Sequence, residues 1–364
     1  MQTLRILICT VVTVACLSGI TGCWDEKPVE WRAVVASIGI DPTCQPGIER
    51  YTFTFPNVTL TTSSLSTTPA NQEFYIITLR SRSLMSALSA LEDRQSRSLY
   101  VGEVRVLVLS TRLAPHAWES ALNAAADSGR FILTFWTVAT PNAATLVRLV
   151  PPMEVVPEVA LYRALNCKCQ PIVWPGRAWR LWQESVTPGI SPVVAEAVPE
   201  DDTFRLGPLT VLGKKTWVWN SQASRGWAYL TSHIHRESMI VQVPQGRFTL
   251  GLIRGHARIS FRFDRDTVRI VDRLSYFGSL TTNVPLAHSV ELDRALERVA
   301  SSRIYADAEA AWHRALATST DPMGWHRDAH WTDARIPTSP QPSWRGWSLT
   351  VIVHFTVRDD GVLE

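Results

Sequence analysis

Apolar and polar positions alternate most regularly at the two ends of the chain. From Arg50 to Val58, Tyr51, Phe53 and Phe55 fall on one side and Thr52 and Thr54 on the other, the period of a half-buried strand. Trp347 to Val357 repeats the pattern with Leu349, Val351, Val353 and Phe355. Trp31–Ile40, Phe74–Leu79, Val104–Leu109 and Phe131–Ala139 also read as strands, and the unbroken apolar run of Val104–Leu109 suits one buried on both faces. Helical spacing appears where Leu84, Leu88 and Leu91 fall at i, i+4 and i+7, predicting a helix over Ser83–Arg94. A second helix is expected over Pro115–Asp127, with proline in its first turn and Gly129 just past its end. A short one is expected over Asn142–Val150.

Pro151-Pro152 breaks this order. Helices follow at Val155–Leu165 and Trp179–Ser185, and the proline-bearing stretch Thr187–Asp202 reads as an extended linker or crossing. Leu209–Leu212 and Thr216–Trp219 flank Gly213-Lys214-Lys215 as a hairpin, before a helix from Ser221 to His233. Strands at Arg247–Ile253, Ala257–Phe263 and Val268–Leu274 open the last third. Val290–Ala317 is its longest helix, and Asp321–Arg335 is an irregular stretch rich in Trp and His. The expected fold class is therefore α+β, with three domains of mixed sheets flanked by helices. The expected boundaries are 23–152, 153–237 with a Pro-rich crossing and a hairpin, and 238–364.

The first residues change the compartment. Arg5 is followed by the apolar run Ile6–Ile20 and then Thr21-Gly22-Cys23. A basic start, a short apolar core and Ile-Thr-Gly-Cys make a lipoprotein signal peptide of residues 1–22, with Cys23 as the lipidated residue whose thiol accepts diacylglycerol, palmitate being among the expected acyl chains. One acyl chain binds a membrane only marginally, so a diacylglycerol-cysteine is what a stable anchor requires. No later stretch has the length of a membrane span. A net charge of +3 on 364 residues, with 19% charged residues, is too mild for a nucleic-acid binder. With Cys9 and Cys16 in the signal, Cys44, Cys167 and Cys169 remain and allow at most one disulfide. Cys167-Lys-Cys169 lacks the two-residue spacer of redox and zinc pairs, so ordinary loop cysteines are the favoured reading and pairing stays open.

Catalytic spacing is sought without success. Gly207–Lys215 has five residues between its glycines and no Ser or Thr after the lysine, so it is a hairpin and not a phosphate loop. His233/His235 and His326/His330 share faces but lack the His-Glu-x-x-His glutamate. Trp217, Trp219 and Trp227 suit a small core better than a ligand platform. There is neither Gly-x-Ser-x-Gly nor Gly-x-Gly-x-x-Gly. No catalytic residue, metal ligand or cofactor site is therefore assigned; the sole site residue is Cys23.

Segment order then carries a resemblance. Gly22-Cys23-Trp24-Asp25, the strand ending Gly39-Ile40-Asp41, Arg97-Ser98-Leu99-Tyr100-Val101-Gly102 before an apolar strand, Gly226-Trp227, and Thr320-Asp321-Pro322-Met323-Gly324-Trp325 followed by Trp331 resemble the Ger(x)C family. These are the C-subunit lipoproteins of spore nutrient germinant receptors. Glu103, Pro322, Met323 and the Cys167–Cys169 loop depart from the family pattern. The resemblance implies three α+β domains in an elongated ectodomain and a non-enzymatic, lipid-anchored subunit needed for nutrient-triggered germination. It also implies integral membrane A and B subunits as partners and a place on the outer face of the spore inner membrane. The competing expectation is an extracytoplasmic solute-binding lipoprotein of a transport system, which would show two similar doubly wound lobes.

Overall fold

The computed structural model describes residues 31–57, 74–154, 156–167, 169–264, 267–281, 289–339 and 343–358. Cys23 and the polar 59–72 segment lie outside the described residues.

Two short strands stand apart: β1 (Arg32–Val34) pairs in parallel with β5 (Ser98–Tyr100). The large sheet takes β2 (Ser37–Pro42), β3 (Glu49–Pro56), β4 (Phe74–Ser81), β6 (Val106–Ser110), β7 (Trp136–Thr140), β8 (Val193–Glu200), β9 (Thr203–Val211) and β10 (Trp217–Val218). They run in the order β10-β9-β8-β7-β6-β2-β3-β4. The centre is parallel from β2 through β6 and β7 to β8, and antiparallel hairpins extend both edges. Every residue of β6 and β7 is buried, as a strand covered on both faces requires.

Alternate side chains then serve two cores. Ile38, Ile40, Leu107 and Leu109 pack with helices α1 (Leu84–Glu92), α2 (Pro115–Asp127) and α5 (Ala178–Val186). Val106, Val108 and Val138 face α3 (Ala143–Leu146) and α4 (Pro157–Asn166) on the other side. Ser83 caps α1 as its Oγ accepts from Ser86 N at 3.2 Å, and Leu84, Leu88 and Leu91 are buried at the expected spacing. Pro115 opens α2, and Gly129 beyond it takes φ 64°.

The second layer begins with α6 (Ser221–Leu230). A four-stranded sheet follows, ordered β11 (Glu237–Val243), β12 (Gly246–Asp264), β13 (Thr267–Leu280) and β14 (Trp347–Arg358). The 29-residue α7 (Val290–Thr318), capped by Ser289, packs against α6, β11 and β14, and α8 (Trp325–Thr332) closes the end. One apolar cluster runs from Val138 and Leu209 of the large sheet through Trp227 and Leu296 to Ile270 and Phe355. The layers therefore share a core.

Several elements differ from the sequence expectation, each for a physical reason. Thr187–Asp202 is not a free crossing: Val193–Glu200 is β8, inside the sheet. Its prolines are harmless because Pro192 precedes the strand and Pro199 sits one residue from its turn. Pro151-Pro152 interrupts the path of the chain and not the hydrogen-bond ladder, since β7 before it pairs with β8 after it. Trp31–Ile40 splits into β1 and β2, which have different partners. Residues 131–135 form a loop that plugs Phe131 and Phe135 into the core ahead of β7. The two strands expected over Arg247–Phe263 are one, β12, whose register shifts between Gly251 and Arg254 with Leu252 at φ 52°. The Trp- and His-rich stretch contains α8.

A candidate functional site at the joint between the layers

The short motifs singled out in the sequence are first of all clamps. Asp41, at the end of Gly39-Ile40-Asp41, is buried. Its Oδ1 and Oδ2 accept from Ala143 N and Ala144 N, each at 2.8 Å, and Arg50 stands 3.4 Å away. A Cβ on Gly39 would stand 3.2 Å from Ala143 O and from Val147 Cγ1. The glycine thus lets α3 lie on β2 while the carboxylate holds the first turn of that helix.

The second clamp joins the layers. Asp321 is fully buried and accepts three hydrogen bonds, from Gly324 N (2.9 Å), His326 N (2.7 Å) and His326 Nδ1 (3.0 Å). Its backbone is stitched to the segment entering β8: Ser191 N donates to Asp321 O at 2.8 Å, and Asp321 N donates to Ser191 Oγ at 2.9 Å. His326 Nε2 lies 3.1 Å from Ser343 O, and its ring packs 4.2 Å from the centres of both Trp344 and Trp347. Trp312 and Trp325 complete the aromatic box. Trp227 Nε1 donates to Pro322 O at 3.0 Å, tying α6 to the same turn.

Beside this clamp lies a cavity of about 240 Å³. Trp227, His233, Met323 and Trp325 line it, with two ion pairs, Arg180–Glu184 and Arg327–Asp328, each at 2.8 Å. Burial pushes the Glu184 and Asp328 carboxyls up, and the adjacent guanidinium opposes that in each case. Burial, with help from Arg180, lowers His233 to about 4, so its imidazole is neutral at pH 7. It lies 4.5 Å from the Trp227 ring. Its Nδ1 faces Thr231 O at 2.9 Å and Thr231 Oγ at 2.8 Å, and that hydroxyl already donates to Trp227 O. The imidazole therefore donates from Nδ1 to these oxygens. The charged groups of the cavity satisfy one another, which suits a joint between packed layers.

The other expected site residues are spread apart. His330 Nδ1 engages Ile336 O at 2.7 Å, so His326 and His330 each serve a backbone carbonyl. Among the described residues no group of three or more His, Cys, Asp or Glu is placed to hold a metal ion. Trp219 and Trp227 are buried core, and Trp217 lies under Lys215 and Arg314. The hairpin places Trp217 opposite Val211, with Lys214 and Lys215 in its turn. Cys167 and Cys169, favoured from sequence as ordinary loop cysteines, form a disulfide, their Cα atoms 5.1 Å apart. Cys44 is exposed and free.

Two features carried little signal in the sequence. Asp321-Pro-x-Gly324 ahead of a helix has the pattern of an Asx turn, which points to the capping role of the aspartate, but its partner Ser191 is 130 positions away. Asp272 on β13 is buried, with both carboxylate oxygens lacking a hydrogen-bond partner. It is paired in register with Ile259 and Val351. Desolvation alone raises its pKa to about 7.

A family model described as the spore germination protein N-terminal domain matches residues 25–197. The crystal structure of the GerBC protein is similar in fold, with a TM-score of 0.56 and 14% identity over 88% of this chain and 97% of that one. No curated protein matches the chain.

Proposed function

Because this chain belongs to the Ger(x)C family of spore germination proteins, we propose that it is a lipid-anchored, non-enzymatic subunit of a nutrient germinant receptor. The observation that carries the reading is the match of residues 25–197 to the germination-protein domain. The joint supports it: the ionisable groups of the cavity pair within their own helices, while Asp321 and Trp227 beside it are used in hydrogen bonds that hold the layers together, which suits a protein whose surfaces carry the function. No helix among the described residues is long and apolar enough to cross a membrane; the proposed attachment is through a diacylglycerol on Cys23. Integral membrane A and B subunits are the proposed partners, at the outer face of the spore inner membrane. Tethering beside them raises the local concentration to about millimolar for short linkers. The solute-binding alternative calls for two similar lobes, whereas this chain has an eight-stranded sheet and a dissimilar four-stranded one.

Deletion of the gene tests the reading. Spores should lose the response to at least one nutrient and keep the response to a trigger that bypasses the receptors. Normal responses to every nutrient, with no paralogue present, would refute it. Cys23→Ala should abolish lipid labelling and give a weaker germination defect; persistent labelling would refute the anchor.

A further inference from the structure

Strands β2, β6 and β7 are parallel and begin in register, Ser37 beside Val106 and Val106 beside Trp136. The segments that lead into them therefore share one edge of the large sheet. Hydrogen bonds knit that edge together: Ser98 Oγ donates to Trp31 O at 3.1 Å, and Trp179 N donates to Leu133 O at 3.0 Å. Three large apolar side chains are exposed along it, Trp31 at 68%, Ile132 at 55% and Trp179 at 50%. Arg94, Arg97 and Arg105 are exposed at the same edge and form no ion pair among the described residues. Of the acids nearby, Glu92 is taken up by Arg130 and the buried Glu158 faces Arg105, while Asp93 and Glu103 stay exposed; with Arg32 over the Tyr100 ring, four guanidinium groups stand against the three carboxylates of Asp93, Glu103 and Glu158.

We propose that this edge lies against a bilayer surface bearing anionic headgroups, an inference that rests on the lipid anchor proposed at Cys23. Trp31 follows Cys23 by eight residues, a reach of at most about 28 Å. A folded chain of this length is about 50 Å across. The tether is shorter than the body, so the edge holding Trp31 is the one kept near the membrane. Indole rings settle at the headgroup level, and arginines close to an anionic leaflet are drawn to it. The edge has both, beside the point where the chain departs toward its anchor. It would hold the ectodomain in one orientation.

The test uses the unlipidated mature chain from residue 24, which contains every residue of both core clusters. It should sediment with vesicles containing phosphatidylglycerol, less with phosphatidylcholine alone, and less as salt rises. Combining Arg94→Gln, Arg97→Gln and Arg105→Gln should weaken vesicle binding on the order of 100-fold, at roughly fivefold per arginine. Trp31→Ser with Ile132→Ser should weaken it on both vesicle types. Tyr305→Ser, an exposed aromatic on α7, should change nothing. Circular dichroism of each variant separates lost binding from lost folding. No binding to anionic vesicles, or binding indifferent to these substitutions, overturns the proposal. So does retained vesicle binding with loss of co-purifying membrane proteins, which would make the edge a protein interface. The anchor is read separately from the mass of the N-terminal peptide of the native protein. Acylated Cys23 with no vesicle affinity in the mature chain sinks the edge alone; the reverse sinks the anchor alone.

Discussion

Gly226 marks the closest approach of α6 to α7, and replacing it with alanine is the sharpest test of how the layers are joined. A Cβ there would stand 2.5 Å from the Asp307 carbonyl carbon and 3.0 Å from Ala311 Cβ, and nearer still to the Asp307 carbonyl oxygen. Carbon atoms rest about 3.5–4.0 Å apart, so the helices must separate by roughly 1 Å. The obstruction is backbone, which cannot rotate away as a side chain would. Overpacking of this kind costs about 3 kcal/mol, the upper end of the usual range. Alanine in a helix interior recovers about 1 kcal/mol relative to glycine. The net loss is about 2 kcal/mol, and at roughly 2 °C per kcal/mol for a chain of this size the melting temperature should fall by about 4 °C. Separation would also loosen Trp227 and Tyr229, both buried on α6. The assay is thermal unfolding of the mature chain followed by tryptophan fluorescence, with Gly213→Ala as the control. The nearest atom to a Cβ at Gly213 is Lys215 O at 3.8 Å, so that variant should melt within about 1 °C of the parent. An unchanged or raised melting temperature for Gly226→Ala would refute the close crossing of α6 on α7.

Asp272 gives the chain a pH dependence of definite sign. Its folded pKa of about 7 lies above the ordinary 3.8, so the folded state holds a proton that the unfolded state has released between those values. That contribution to stability is complete below about pH 4 and is lost as pH rises to about 7, on the order of 4 kcal/mol in all. Asp272→Asn should remove this part of the slope in urea titrations at several pH values; an unaltered slope would exclude Asp272 as its source. Asp321→Ala strips three acceptor bonds from a fully buried turn and should destabilise by about 3 kcal/mol, seen as a lower urea midpoint. Alkylation of the denatured, unreduced mature chain lacking Cys23 should label Cys44 alone, and reduction should expose Cys167 and Cys169; three labels before reduction would refute the disulfide.

Local physics made much of this fold legible in the sequence. Pro115–Asp127 is helical over the range read from its first-turn proline and following glycine, because both signals act within one turn of the chain. The Leu84, Leu88 and Leu91 stripe and the alternation of β14 mark buried faces in the same way. The α+β class and the Ger(x)C resemblance follow from the order of such segments. What the tertiary structure alone decided is where those segments meet. Val193–Glu200 becomes a sheet strand because β7 and β9 supply its partners, although its prolines argue for a linker. Asp321 is a clamp because Ser191 arrives from 130 positions away. Gly226 matters because α7 passes over it, and Asp272 holds its proton to a higher pH than usual because it is fully buried between two strands of its sheet. Periodicity is a property of neighbours along the chain, whereas burial, pairing and charge state depend on neighbours in space, brought together only once the core has closed.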